Sequence, residues 1–142
     1  IVSTAKGLGG GLPIGATLVC EKLQNVLGPG DHGSTYGGNP VSCAGALSVI
    51  QRLDDDFLSQ IKAKSDYIFS SLQDCPGIVS VTGMGLMIGI QTEKDAKEVV
   101  RACMEKGVLC LTAKTKVRLL PALNIPMEQL QQAIETIKEV CA

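Results

Sequence analysis

From residue 54 onward the hydrophobic positions switch repeatedly between two periods. Leu58, Ile61, Ser65, Ile68 and Leu72 recur at helical spacing, with Lys62, Lys64, Asp66 and Gln73 on the other side. Cys75-Pro76-Gly77 supplies the stop. Residues 78–82 (IVSVT) and 86–91 (LMIGIQ) then read as two strands joined through Gly83-Met84-Gly85. Asp95 caps a helix that carries Val99, Val100, Cys103 and Met104 and is stopped by Gly107. Residues 108–112 and 117–120 read as two more strands. A last helix starts near Pro126 and lines up Leu130, Ile134, Ile137 and Cys141 on one face. The order α-β-β-α-β-β-α predicts an α+β layer domain, with helices packed on a sheet of mainly antiparallel neighbours.

The first third follows a different pattern. Residues 14–20 (IGATLVC) form a short apolar run between Pro13 and Glu21-Lys22, read as a buried strand. Residues 28–39 hold five glycines in twelve positions and must be an ordered loop or a linker. Asn39-Pro40 looks like an N-cap with proline at the first helical position. The helix it opens, VSCAGALSVIQRL, is apolar nearly all round until Gln51 and Arg52, which predicts burial against a large partner surface. Composition sharpens the division. Of 16 glycines, 11 fall in the first 45 residues, along with four charged side chains (Lys6, Glu21, Lys22, Asp31). The other five glycines and 23 charges lie beyond. A boundary near residue 53 is expected: residues 1–53 as the edge of a domain mostly outside this sequence, residues 54–142 as the α+β domain. The start at Ile1, without Met, points the same way.

Charge and cysteine usage narrow the function classes. Hydrophobic residues make up 45%, charged residues 19%, and the formal net charge is −1. That balance describes a globular chain and leaves no basic footprint for nucleic acid. No stretch approaches the roughly 18 apolar residues of a membrane span, and the glycine-rich start is not a signal peptide. Cys20, Cys43, Cys75, Cys103, Cys110 and Cys141 contain no C-x-x-C pair, and four of them (Cys20, Cys43, Cys103, Cys110) sit in apolar runs. They read as small buried hydrophobes in a reducing compartment, with a cytoplasmic location as the default. His32 is the only histidine and no ligand spacing appears, so no metal site is expected.

Two glycine-rich segments are candidates for chemistry. In TAKGLGGGLP, Lys6 precedes the glycines, which does not fit a Walker loop, and Gly7, Gly9 and Gly10 do not keep a dinucleotide-binding spacing. A lysine whose amine forms a Schiff base with a carbonyl is one reading; a tight turn with an exposed lysine is the other. In GDHGSTYGGNP, the hydroxyls of Ser34 and Thr35 stand just ahead of a helix N-terminus. Hydroxyls, backbone donors and a helix dipole together suit a phosphate group, whereas a capping turn needs none of that.

The runs TAKGLGGGLPIGA, GDHGSTYGGNP, VTGMGLMIGIQ and VRLLPALNI, in this order, closely resemble the class III (ω-amino acid) pyridoxal-phosphate aminotransferases, within them the members that act on N-acetylornithine. The resemblance covers essentially the whole chain. It implies an α/β fold, the fold-type I PLP-dependent transferase, of which this chain would be the end of the large domain plus the small C-terminal domain. Lys6 matches the lysine that holds pyridoxal 5'-phosphate and then shuttles a proton between the substrate Cα and the cofactor. Thr35 matches the threonine that reaches the cofactor phosphate of the neighbouring subunit, with Ser34 adding to that contact, so a homodimer with a shared active site is implied. Arg118 of VRLLPAL matches the arginine that grips the substrate α-carboxylate; without the resemblance, a salt bridge on a strand is the plainer reading. Ala122 stands where the family usually has a second proline. The implied reaction moves the ω-amino group of N-acetylornithine to 2-oxoglutarate, giving glutamate, in arginine biosynthesis. Ornithine, succinylornithine or 4-aminobutyrate as donor, or a non-catalytic assembly module, are the alternatives. The family's partner for the pyridine nitrogen, its ring stacked on the cofactor and its main phosphate loop lie upstream, so the 142 residues alone are expected to be inactive.

Overall fold

Three-residue strands β1 (Val2–Thr4) and β2 (Ala16–Leu18) pair antiparallel with Ser3 opposite Thr17, closing the glycine-rich segment into a loop. The computed structural model describes all 142 residues, which divide into two compact units, Ile1–Phe57 and Leu58–Ala142. In the first unit, α1 (Pro40–Ile50) begins where Asn39-Pro40 predicts. The Asn39 side chain accepts a hydrogen bond from the Ser42 N–H at 3.0 Å, and Pro40 gives up no useful donor at N1. The strand expected over 14–20 is shorter and more open than its apolar content suggests. Its ladder is limited by the three residues of β1, and Leu18 and Val19 are exposed. In α1 only Ser42 and Ala46 are buried; Val41, Leu47 and Ile50 are exposed, as an all-round apolar helix must leave them when one side is covered.

The second unit has the predicted order. Here α2 (Asp55–Leu72), β3 (Ile78–Met84), β4 (Met87–Thr92), α3 (Ala96–Glu105), β5 (Leu111–Ala113), β6 (Lys116–Leu119) and α4 (Met127–Cys141) follow one another. The four strands form one sheet in the order β3-β4-β6-β5, every neighbouring pair antiparallel. Ile88, Ile90, Val117 and Leu119 share its buried face, in the register Ile88 opposite Leu119 and Ile90 opposite Val117. Ile61, Ile68 and Leu72 of α2, Val99 and Cys103 of α3, and Leu130, Ile134 and Ile137 of α4 complete the core.

Local signals explain the helix ends. Asp54 accepts from the Phe57 N–H at 2.8 Å and Asp95 from the Lys97 N–H at 2.9 Å. At the other end of α3, Gly107 takes φ 84°, Val108 N–H bonds to Cys103 C=O and Gly107 N–H to Met104 C=O, a complete Schellman closure. Some side chains depart from the periodic reading. Leu58 and Met104 are about half exposed. Lys64, placed by spacing on the polar side of α2, is buried, its stem lying in the packed face and its Nζ donating to the Leu123 carbonyl at 3.1 Å. Cys103 and Cys141 are buried as expected, but Cys20 is exposed, since the run around it is not covered.

Burial sets the protonation of the thiols around α3 and α4. Loss of hydration pushes Cys110 from 9.0 up to about 12, with Cys103 adding to it, and pushes Cys141 up to about 11. The folded chain therefore holds these protons longer than the unfolded chain. The stability they contribute is full below pH 9.0 and is lost as pH rises toward 11 and then 12. Urea midpoints measured near pH 8 and about pH 10.5 should show that loss, and Cys110→Ala should reduce it. Independently, Ile134→Ala should lower stability by about 2–5 kcal/mol, because the side chain is fully buried.

Candidate active-site residues

Lys6 follows β1, separated from it by Ala5, and opens a 3-10 turn over Lys6–Gly9. Its backbone takes φ 55°, the left-handed region that a non-glycine residue enters only at a cost of about 1–3 kcal/mol. The side chain is exposed and forms no ion pair. What holds the turn is contact with α1. A Cβ on Gly45 would stand 2.7 Å from the Gly9 carbonyl oxygen, and one on Gly10 3.2 Å from Val49 Cγ2. These glycines let the turn's backbone lie directly on the helix, so their first service is to seat Lys6.

Ser34 and Thr35 lie in the irregular segment that leads into α1. Both are exposed. Ser34 is folded toward Gly37, where an added Cβ would come within 2.9 Å of Ser34 Oγ. The helix terminus behind them is less available to an anion than the sequence suggests. Asn39 already takes the Ser42 N–H, and Pro40 has no N–H. The two exposed hydroxyls are the side-chain donors this segment has to offer a phosphate. No hydrogen bond joins Lys6 to Ser34 or Thr35, although all three belong to the first unit.

Arg118 belongs to the second unit. It sits in the middle of β6, opposite Gly89 of β4 and Leu111 of β5, on the face turned away from the core. The salt bridge that a strand arginine ordinarily makes is absent. Its Nε is buried with no hydrogen-bond partner. An unmade donor of that kind costs about 1–3 kcal/mol, which an arriving carboxylate would recover through the parallel bonds a guanidinium offers.

Sequence reasoning passed over Lys116. Its Nζ donates to Thr82 Oγ1 at 2.8 Å across the sheet, on the same face as Arg118. The signal was present: in a strand, residues two apart share a face. A groove of about 550 Å³ between residues 106–109, residues 119–121 and α4 holds none of the candidate residues. Its lining mixes apolar side chains with Lys106, Gln129, Gln132 and Thr136 and gathers no cluster of ionisable groups.

The residues available suit pyridoxal 5'-phosphate. In the first unit these are the amine of Lys6, without a carboxylate partner, and the free hydroxyls of Ser34 and Thr35; Arg118 of the second unit, with its unmet donor, suits a substrate carboxylate. Comparison with known proteins agrees. The family model described as aminotransferase class-III matches residues 1–141. Acetylornithine aminotransferase of Haemophilus ducreyi is 46% identical over 142 residues, covering 99% of this chain and 36% of the relative. The mitochondrial acetylornithine aminotransferase of Saccharomyces cerevisiae is 38% identical over 146 residues, covering 98% and 34%. Among solved structures, ornithine aminotransferase of Toxoplasma gondii superposes with a TM-score of 0.86 at 28% identity, over 98% of this chain and 36% of that one. Acetylornithine aminotransferase of Elizabethkingia anophelis superposes with a TM-score of 0.81 at 30% identity, over 97% and 37%. The chain thus spans a little over one third of the length of these relatives.

Gly45→Ala tests the seating of the lysine turn. In an ordinary helix that change adds about 0.5–1 kcal/mol of stability. Here the new methyl group meets the Gly9 carbonyl oxygen, so urea denaturation should show a loss of about 1–3 kcal/mol instead. A gain would mean that the turn does not rest on α1.

Proposed function

The chain belongs to the aminotransferase class-III family, and from that membership we propose that it is the C-terminal part of a pyridoxal 5'-phosphate-dependent enzyme that moves the ω-amino group of N-acetylornithine to 2-oxoglutarate. Residues 1–53 are then the edge of the cofactor-binding domain and residues 54–142 the small C-terminal domain. The observation that carries this reading is the arrangement around Lys6: an exposed, unpaired amine on a backbone held at φ 55° by glycine contacts with α1.

When bound, pyridoxal 5'-phosphate supplies an electron sink that lets a proton leave the carbon bearing the transferred nitrogen. Lys6 Nζ would hold that group and would take and return the substrate proton, as a base held at one position can. Thr35 and Ser34 would offer their hydroxyls to the phosphate of a cofactor held by a second copy of the chain, so that a homodimer would complete the active site. Arg118 binds the substrate α-carboxylate with its planar fork, fixing the substrate's direction. The choice of donor is supported by the acetylornithine aminotransferase relatives at 38–46% identity; the solved acetylornithine and ornithine aminotransferase structures, at 28–31%, do not separate the two donors. A place in arginine biosynthesis belongs to the same proposal.

The full-length protein, given N-acetylornithine, 2-oxoglutarate and pyridoxal 5'-phosphate, should release glutamate; absence of glutamate would refute the assignment. Lys6→Ala should abolish the visible absorbance of lysine-bound cofactor and lower turnover by at least about a thousandfold. An unchanged spectrum in that variant would remove Lys6 from its role.

A further inference from the structure

Lys64 is the one buried charged side chain of the protein, 8% exposed on α2, and it meets no carboxylate. Taking an ammonium out of water without an anion to receive it opposes folding, and an apolar side chain of similar length would pack there at less cost. Stability therefore does not account for Lys64. What it makes is one long-range bond, from Nζ to the Leu123 carbonyl at 3.1 Å. Leu123 lies in residues 120–126, the irregular connection between β6 and α4. That connection has little else to hold it. Pro121 and Pro126 carry no N–H, and its own turn is closed by a single bond, Ile125 N–H to Ala122 C=O at 3.0 Å. Residues 122–124 are exposed. The bond from Lys64 is the one that ties the connection to α2. Where the connection starts gives the tie its meaning. β6 ends at Leu119, so Arg118 is the strand's last residue but one. Opposite it stand Leu111, the first residue of β5, and Gly89, which has no side chain to pack. The end of a ladder is where a sheet opens most readily.

Resting on the reading of Arg118 as a residue that meets substrate, we propose that Lys64 is a positioning residue. From the packed side of α2 its ammonium pins the β6–α4 connection and keeps the end of β6 from opening. It thereby sets how readily the site accepts substrate, and not how fast bound substrate reacts. Lys64 acts through the backbone of Leu123 and takes no part in the chemistry. A lysine suits this task because its long apolar stem crosses a packed face while the ammonium reaches a carbonyl at the edge.

The test compares three substitutions in the full-length holoenzyme. Lys64→Met removes the donor and keeps the volume, Lys64→Arg keeps a donor, and Lys62→Met removes an exposed cation from the same helix. By hydrogen–deuterium exchange read in a mass spectrometer, Lys64→Met should speed exchange of residues 120–126 about tenfold and leave β4 unchanged. In steady state it should raise KM for both substrates about three- to fivefold, with kcat within about twofold. Its melting temperature should equal or exceed that of the unsubstituted protein. Lys64→Arg should recover both the slow exchange and the KM values, and Lys62→Met should shift none of these readings. Unchanged exchange over residues 120–126, or unchanged KM, in Lys64→Met would overturn the proposal. So would a fall in melting temperature and kcat together at constant KM, the signature of a merely structural lysine. Failure of the unsubstituted protein to form glutamate would refute the proposed reaction and with it the link to substrate, while the exchange would still decide whether Lys64 holds the connection.

Discussion

A strand can give only one of its two faces to a core, and in β6 that face is taken by Val117 and Leu119. Arg118, between them, is therefore turned outward, and Lys116 shares its side. The register extends the constraint to the neighbouring strands. Ile88 and Ile90 face inward opposite Leu119 and Val117, which puts Gly89 outward opposite Arg118. Slipping β6 by one residue would bury both cations and expose two core side chains, a change no local interaction here could offset. The candidate carboxylate site is thus held by the same contacts that hold the sheet.

The first unit relies on a different device. Little of its surface is buried, and its lysine is positioned by closeness of backbone rather than by a packed side-chain core. Gly10 and Gly45 allow the turn to touch α1, and the strain at Lys6 is carried by that contact together with the β1–β2 ladder. Glycine enrichment in this segment, which a compositional view associates with flexibility, is here a condition for close approach.

Much of this was legible in the sequence because it depends on local rules. Asn39-Pro40, Asp95 and Gly107 act within a turn of themselves, and the stripe Leu130, Ile134, Ile137, Cys141 is buried as its period demands. The departures depend on what packs from elsewhere. Lys64 is buried because the covered side of α2 is wider than its apolar stripe, and Leu58, Met104 and Cys20 are exposed because no element reaches them. Lys6, Ser34, Thr35 and Arg118 stood out as residue types in motifs. The strained φ of Lys6, the occupied terminus of α1 and the missing partner of Arg118 required coordinates. Lys116 was equally readable by alternation but has no motif to single it out.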